Sequence, residues 1–398
     1  MQCAGNSKTF VIQRNPLFSG LIKNIEREVL SFVPKSSMID DILESVEANG
    51  KLSLKQTWSL LNVGPNRDSD LFSKILEISR KTKARIFHGK IYPIVPLYVS
   101  SFCQEHCTYC NYRAENKNIK IERVRLSDEE LAIEVEFLAK KGFRVIELVY
   151  STDPSIGIVD VSEHIKITHN ILSDFGGGMV ALNARPYLVE DYKRLKQSGL
   201  DFIVLWQETY DEKRYKELHP GNTEKSDFKY RIDAFDRMAH AGIENIGLGV
   251  LSGLSDWRKD WYMLMNHVNY LLQQYKSEIK TVILGIPRLK PAAGALLKKT
   301  SFIPNDKEFL LAISVFNLYL PTALPFVNTR ESWDLCLNIA KGGGTIFTFD
   351  CKTIPGGYAL EHLGYQFPTY DFDLGKYLGK LNRNRLKPVF NWNFRNFN

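Results

Sequence analysis

Long apolar runs are missing from this sequence. None of its 398 residues lies in an unbroken stretch of about 18 apolar side chains, the length a membrane-spanning helix needs. Met1 to Arg14 carries polar and charged residues where a secretion signal needs an apolar segment, so the expected compartment is the cytoplasm. No basic block is interleaved with aromatics. The net charge of +7 is spread along the chain, as on a solvated surface, and nucleic acid is not an expected partner. Cysteine is scarce: six residues are far too few for the disulfide framework of a small secreted protein. Internal repeats, low-complexity tracts and a linker to a second catalytic domain are also missing.

What is present is a chain with 44% hydrophobic residues, long enough to bury a large core. Residues 1–92 read as a helical extension, with apolar residues at helical spacing in Ser53–Leu61 and Leu71–Arg80. The pattern then changes to apolar strands separated by amphipathic helices. The strands are Pro96–Ser100, Val145–Tyr150, Met179–Asn183, Phe202–Trp206, Ile246–Leu251, Thr281–Ile286, Leu324–Asn328 and Thr345–Phe349. Among the helices, Ser127 with Glu130 reads as a capping box and Gly142 as a stop; Val189–Gln197 stops at Gly199, and Phe228–Ala241 reads as one long helix. Eight strands alternating with helices predict an α/β chain whose residues 93–352 close into a (β/α)8 TIM-type barrel, with a short C-terminal extension over 353–398. In such a barrel the chemistry sits on loops that follow the strands.

The loop after the first strand holds three of the six cysteines, in the order Cys103-Gln-Glu-His106-Cys107-Thr-Tyr109-Cys110. Three thiolates at spacings of four and three can wrap one side of an iron–sulfur cubane. The fourth iron then takes either a ligand from elsewhere in the chain or an open coordination site. The alternative is zinc, with His106 as fourth ligand. Structural zinc commonly uses two separated ligand pairs, however, and His106 is next to Cys107, where joint ligation is sterically awkward.

With Tyr109 directly before its last cysteine, this loop resembles the radical S-adenosylmethionine (SAM) signature. Pro96-Leu97-Tyr98-Val99-Ser100, Gln207-Glu208-Thr209-Tyr210, Pro287-Arg288-Leu289-Lys290-Pro291, Thr329-Arg330-Glu331 and Pro355-Gly356-Gly357-Tyr358 resemble the aromatic amino acid lyases of that superfamily, over roughly residues 50–375. The resemblance implies a radical SAM barrel with a [4Fe-4S] cluster on Cys103, Cys107 and Cys110, and SAM chelating the open iron. Further, it implies a 5′-deoxyadenosyl radical that takes hydrogen from the amine of a free aromatic amino acid. Tyrosine would give 2-iminoacetate (dehydroglycine) and p-cresol; the alternative is a tryptophan lyase of the 3-methyl-2-indolic acid type. By the same resemblance, Tyr109, Gln207, Glu208 and Arg231 contact SAM. Arg330 anchors the substrate carboxylate, and Arg288 either touches substrate or cofactor or supports the rim. Glu208 with Arg231, and Arg330 with Glu331, could instead be ordinary ion pairs. An electron donor such as flavodoxin or ferredoxin, and a protein that receives the reactive product, are the implied partners.

Two features depart from the family. After strand two, where the family shows a Gly-Glu pair, the chain reads Tyr150-Ser151-Thr152-Asp153-Pro154, so Asp153 is the candidate carboxylate for the cofactor. Cys336 and Cys351, on an expected helix and strand, read as buried thiols rather than as a second cluster of the hydrogenase-maturase kind. A reading of another class, a zinc or electron-transfer protein without catalysis, leaves the Arg231 and Arg330 segments unexplained.

Overall fold

The computed structural model describes residues 16–30, 37–49, 52–116 and 122–397. Cys3 and the Met1–Arg14 segment lie outside them. Four helices come first: α1 (Phe18–Leu30), α2 (Ser37–Asn49), α3 (Leu54–Leu61) and α4 (Ser69–Phe87). Ser53 and Gln56 form a reciprocal capping box at the start of α3, satisfying two backbone N–H groups that the first turn leaves free. Helix α4 ends on His88 in the left-handed region, followed by Gly89 at φ +75, where a Cβ would stand 2.5 Å from the Arg385 carbonyl oxygen. That turn feeds the chain into the sheet.

The barrel then runs β1 (Lys90–Ser100), α5 (Asp128–Lys140), β2 (Val145–Tyr150), α6 (Ile158–Asp174), β3 (Met179–Asn183), α7 (Val189–Gln197), β4 (Phe202–Glu208), α8 (Glu212–Leu218), α9 (Phe228–Ile232), α10 (Ala234–His240), β5 (Asn245–Val250), α11 (Trp257–Gln274), β6 (Thr281–Gly285), α12 (Asp306–Tyr319), β7 (Leu324–Val327), α13 (Trp333–Ala340) and β8 (Thr345–Thr348). All eight strands are parallel, each pairs with the next, and β1 pairs with both β2 and β8, so the sheet closes. The expected TIM-type barrel is the observed one. Helix α14 (Leu374–Arg383) and a two-residue strand, β9 (Lys387–Pro388), which pairs with the start of β1, complete the chain.

Three differences from the sequence reading have local causes. Strand β1 begins six residues early: Pro93 and Pro96 look like breakers, yet residues 91–100 are buried throughout and both prolines keep their register with β8 and β2. The expected helix over 228–241 is interrupted at Asp233, whose carboxylate accepts the Ser19 amide at 3.3 Å and its hydroxyl at 2.9 Å. That tertiary contact leaves no mark on hydropathy. Cys351 lies past the end of β8, not in a strand.

Helices α1, α3 and α4 pack on the outside of the barrel against α11 and α12, with α2 on α3 and α4, and the Phe18 ring stacks on His267 at 4.1 Å. The N-terminal end of the barrel is filled: Tyr92, Phe202 and Trp392 meet there, and the Trp392 indole donates to the Pro93 carbonyl at 3.0 Å. Aromatic filling of this end leaves the interior open only toward the strand C-termini. Among the described residues no helix is long and apolar enough to cross a membrane.

Candidate active site

At the C-terminal end of the strands a cavity of about 230 Å³ opens. The cysteine loop forms one wall, and Cys103, Cys107 and Cys110 all line it. The loop is held from behind by Arg123, whose guanidinium donates to the carbonyls of Ser101, Tyr112 (3.0 Å) and Arg113 (2.9 Å). Burial raises all three thiols, Cys103 to about 11. Thiols held neutral by burial ionise when a cationic metal centre replaces the missing solvation, so this donor set suits iron. Among the described residues no group of three or more His, Cys, Asp or Glu side chains is disposed to hold a single metal ion. His106 does not line the cavity; it packs against Gly221, where a Cβ would lie 3.2 Å from its ring. The zinc arrangement with His106 therefore has no geometric support.

Tyr109 also lines the cavity, and its hydroxyl lies 2.8 Å from Nε2 of His219. His219 is pushed down to about 3, first by burial and then by Lys225, so its ring is neutral. Its Nδ1 faces the Tyr215 carbonyl at 2.8 Å and must carry the proton, leaving Nε2 to accept from Tyr109.

Glu208 ends β4 at a backbone irregularity. The β4–β5 register shifts between Trp206 and Glu208, and Glu208 takes φ +74. Trp206 and Glu208 both face the cavity by ordinary strand alternation, continuing the inward face of Phe202 and Val204, while Gln207 turns away and is fully buried outside it. Lys225 Nζ is 2.5 Å from the Glu208 carboxylate and Arg231 is 3.6 Å away. Burial would raise this carboxyl, but the two cations outweigh it and hold it down to about 2. Arg231 spends two donors on the Trp206 carbonyl, at 3.0 and 2.6 Å, and also lines the cavity. Glu208 and Arg231 are thus a buried cluster with Lys225, not a surface pair.

Three expected site residues sit elsewhere. Gln207 does not reach the cavity. Asp153 is spent on structure: Arg125 binds it at 2.7 and 2.9 Å, the Ser100 hydroxyl donates at 2.6 Å and the Ser155 amide at 3.0 Å. Ser151 and Thr152, not Asp153, face the cavity. Arg288 is fully engaged on the rim, with both Glu331 oxygens at 2.9 and 2.5 Å, Asp306 at 2.7 Å and the Pro304 carbonyl at 3.0 Å. Truncating this buried pair should destabilise the fold. For Arg288→Ala we expect a loss of about 3 kcal/mol in urea unfolding, at the low end for buried pairs because Lys290 still reaches Glu331 at 3.0 Å.

Because Glu331 is taken by Arg288 and Lys290, Arg330 is not its partner. The Arg330 guanidinium lies on the cavity wall over the Phe367 ring, 3.4 Å from its centroid, and makes no ion pair or side-chain hydrogen bond among the described residues. Several wall residues carried no readable signal in the sequence. Lys225 lies in a short turn before α9, Gln366 donates to Cys110 at 3.5 Å from the C-terminal extension, and Cys351 is a cavity residue rather than a core thiol.

An eight-stranded parallel barrel with a three-cysteine loop after its first strand is the architecture of radical SAM enzymes, and the Radical SAM superfamily model matches residues 97–265. The chain is 33% identical to the 2-iminoacetate synthase of Escherichia coli (strain K12) over 288 residues, 71% of this chain and 72% of that protein. It is 26% identical to the 3-methylornithine synthase of Methanosarcina acetivorans over 316 residues, 76% of this chain and 79% of that one. The solved structure of the FeFe-hydrogenase maturase HydG from Carboxydothermus hydrogenoformans superposes with a TM-score of 0.83 at 26% identity, covering 94% of this chain and 84% of that one. The chain belongs to the radical SAM superfamily and, within it, to the lyase family that contains 2-iminoacetate synthase. It is a radical SAM lyase whose cofactors are a [4Fe-4S] cluster and SAM.

Proposed function

We propose that this enzyme cleaves a free aromatic L-amino acid, L-tyrosine in the first place, to 2-iminoacetate and p-cresol. The observation that carries the reading is Arg330, a half-buried guanidinium without an anionic partner among the described residues, on a wall shared with Trp206, Phe326 and Phe367. A free amino acid brings a carboxylate for the cation and an aromatic ring for those faces.

Cys103, Cys107 and Cys110 are the residues that would hold the cluster. Tyr109, Glu208 and Arg231 would hold SAM, with Glu208 kept ionised by Lys225. The bound cofactors supply a 5′-deoxyadenosyl radical. The chain's own task is to fix the amino acid by its carboxylate, present its amine toward the cysteine wall and keep water from the reacting atoms. A cytoplasmic flavodoxin or ferredoxin would supply the electron, and a partner protein would receive the imine, which hydrolyses when free.

The test is anaerobic incubation of the reconstituted holoenzyme with dithionite, SAM and each aromatic amino acid. We expect 5′-deoxyadenosine together with p-cresol from tyrosine. An indolic acid from tryptophan, with no p-cresol, would replace the tyrosine reading.

A further inference from the structure

Below the cysteine wall the cavity ends on a carboxyl that nothing in the chemistry above uses. Glu147 lies inside β2, in register with Pro96 of β1 and Ala181 of β3, and its side chain faces the cavity. It is deeper than Val149, and deeper than Ser151 and Thr152 at the mouth. One carboxyl oxygen accepts from the Asn183 amide at 3.0 Å; the other has no partner among the described residues. Thr348, at the end of β8 and also on the cavity wall, has a buried hydroxyl oxygen with no partner among the described residues. Glu147 and Thr348 are on the two strands that flank β1, in register with Pro96 and Ile94, and the cavity they line also has Pro96, Trp206 and Phe326 on its walls.

A buried polar group left unpaired is costly, so the Thr348 hydroxyl calls for a ligand, and the unused Glu147 oxygen on the same cavity lining can help complete it. Among the described residues no basic side chain is within ion-pair distance of Glu147, and burial raises the carboxyl to about 7. A neutral or half-ionised acid suits a neutral hydroxyl better than it suits a cation.

We propose that Glu147, steadied by Asn183, is the specificity-determining residue that hydrogen-bonds the para-hydroxyl of the substrate ring, with Thr348 as its second contact. The phenol O–H donates to the free Glu147 oxygen, and the phenol oxygen accepts from the Thr348 hydroxyl. Arg330, on the cavity wall past β7, takes the carboxylate, so the two ends of one amino acid are read by separate walls of the cavity. This inference rests on the tyrosine reading and says which atom of tyrosine is selected. Sites built around a substrate hydroxyl reject the analogue lacking it by about 10⁴-fold or more, because their own polar groups are then stranded.

The test compares L-tyrosine with L-phenylalanine as competing substrates of the reconstituted holoenzyme, for the wild type, Glu147→Gln and Glu147→Leu. Equilibrium dialysis of each amino acid against holoenzyme without reductant provides a readout independent of turnover. The wild type should favour tyrosine strongly. Glu147→Leu should lower the tyrosine-to-phenylalanine ratio at least about 100-fold in both kcat/KM and binding, and Glu147→Gln should keep most of it through its amide oxygen. A merely structural Glu147 would depress both substrates together and leave the ratio unchanged. Tyrosine cleavage with an unchanged ratio in Glu147→Leu overturns the anchor and leaves the lyase reading standing. Preferred turnover of an amino acid with an ammonium end, L-ornithine being the probe, with none of tyrosine, overturns both.

Discussion

Replacing Cys107 by alanine is expected to abolish 5′-deoxyadenosine formation with every amino acid. Cys107 is the most buried of the three cavity thiols, at 8% exposure, and its carbonyl accepts the Cys110 amide at 3.2 Å, which sets the turn between them. With two thiols left, a cubane would show two irons to solvent instead of one, and the other cavity thiol, Cys351, lies past β8 rather than in the cysteine loop. The loop itself should survive, because its shape depends on Arg123 and on the Thr108 amide bonded to Leu218 rather than on the sulfurs. The variant should therefore keep its far-ultraviolet circular dichroism while losing most iron and sulfide after anaerobic reconstitution, along with the electron paramagnetic resonance signal of the reduced cluster. His106→Ala is the control: it faces Gly221 and should load iron normally. Full iron content and turnover in the Cys107 variant would remove the basis of the site.

That the cysteine loop was legible in the sequence, and Asp153 misleading, has one physical explanation. Cysteines at spacings of four and three converge by local chain geometry alone, so their arrangement can be read along the chain. The destination of a carboxylate cannot. Asp153 is taken by Arg125, which is 28 residues away in sequence and enters through a bridge to Ser100 that no periodicity announces. Arg288 and Arg330 make the same point as a pair. Both are arginines just past a strand, in short words of similar look, yet Glu331 goes to Arg288 and leaves Arg330 free. Gln207 fails for a simpler reason: strand alternation puts Phe202, Val204, Trp206 and Glu208 on the inward face of β4 and Gln207 on the outward one. The strands themselves were readable to within a residue or two in most cases, because apolar runs between helices of ordinary length leave little choice of register. Glu147 lies inside such a run and has no role in the sequence reading, although one buried carboxyl on an inward face is what a selective cavity requires.

The two arginines also separate experimentally, and Arg330→Leu should give the larger functional effect. Its guanidinium is half-buried without an anionic partner among the described residues, and desolvation lowers its pKa. Removing it should leave urea stability unchanged or slightly raised, the opposite of Arg288→Ala. In the complex, the same cation would be the charged partner of the substrate carboxylate. Breaking a desolvated, hydrogen-bonded charge pair costs about 2–5 kcal/mol, which corresponds to about 30-fold to several thousand-fold in kcat/KM. Arg330→Lys should recover only part of this, since an ammonium supplies one point charge where the carboxylate meets a planar fork. Formation of 5′-deoxyadenosine without substrate should persist in both variants, because the cysteine wall and the Glu208–Lys225 pair are untouched. Loss of that uncoupled activity, or a fall in stability with substrate affinity unchanged, would place Arg330 in the scaffold rather than at the carboxylate.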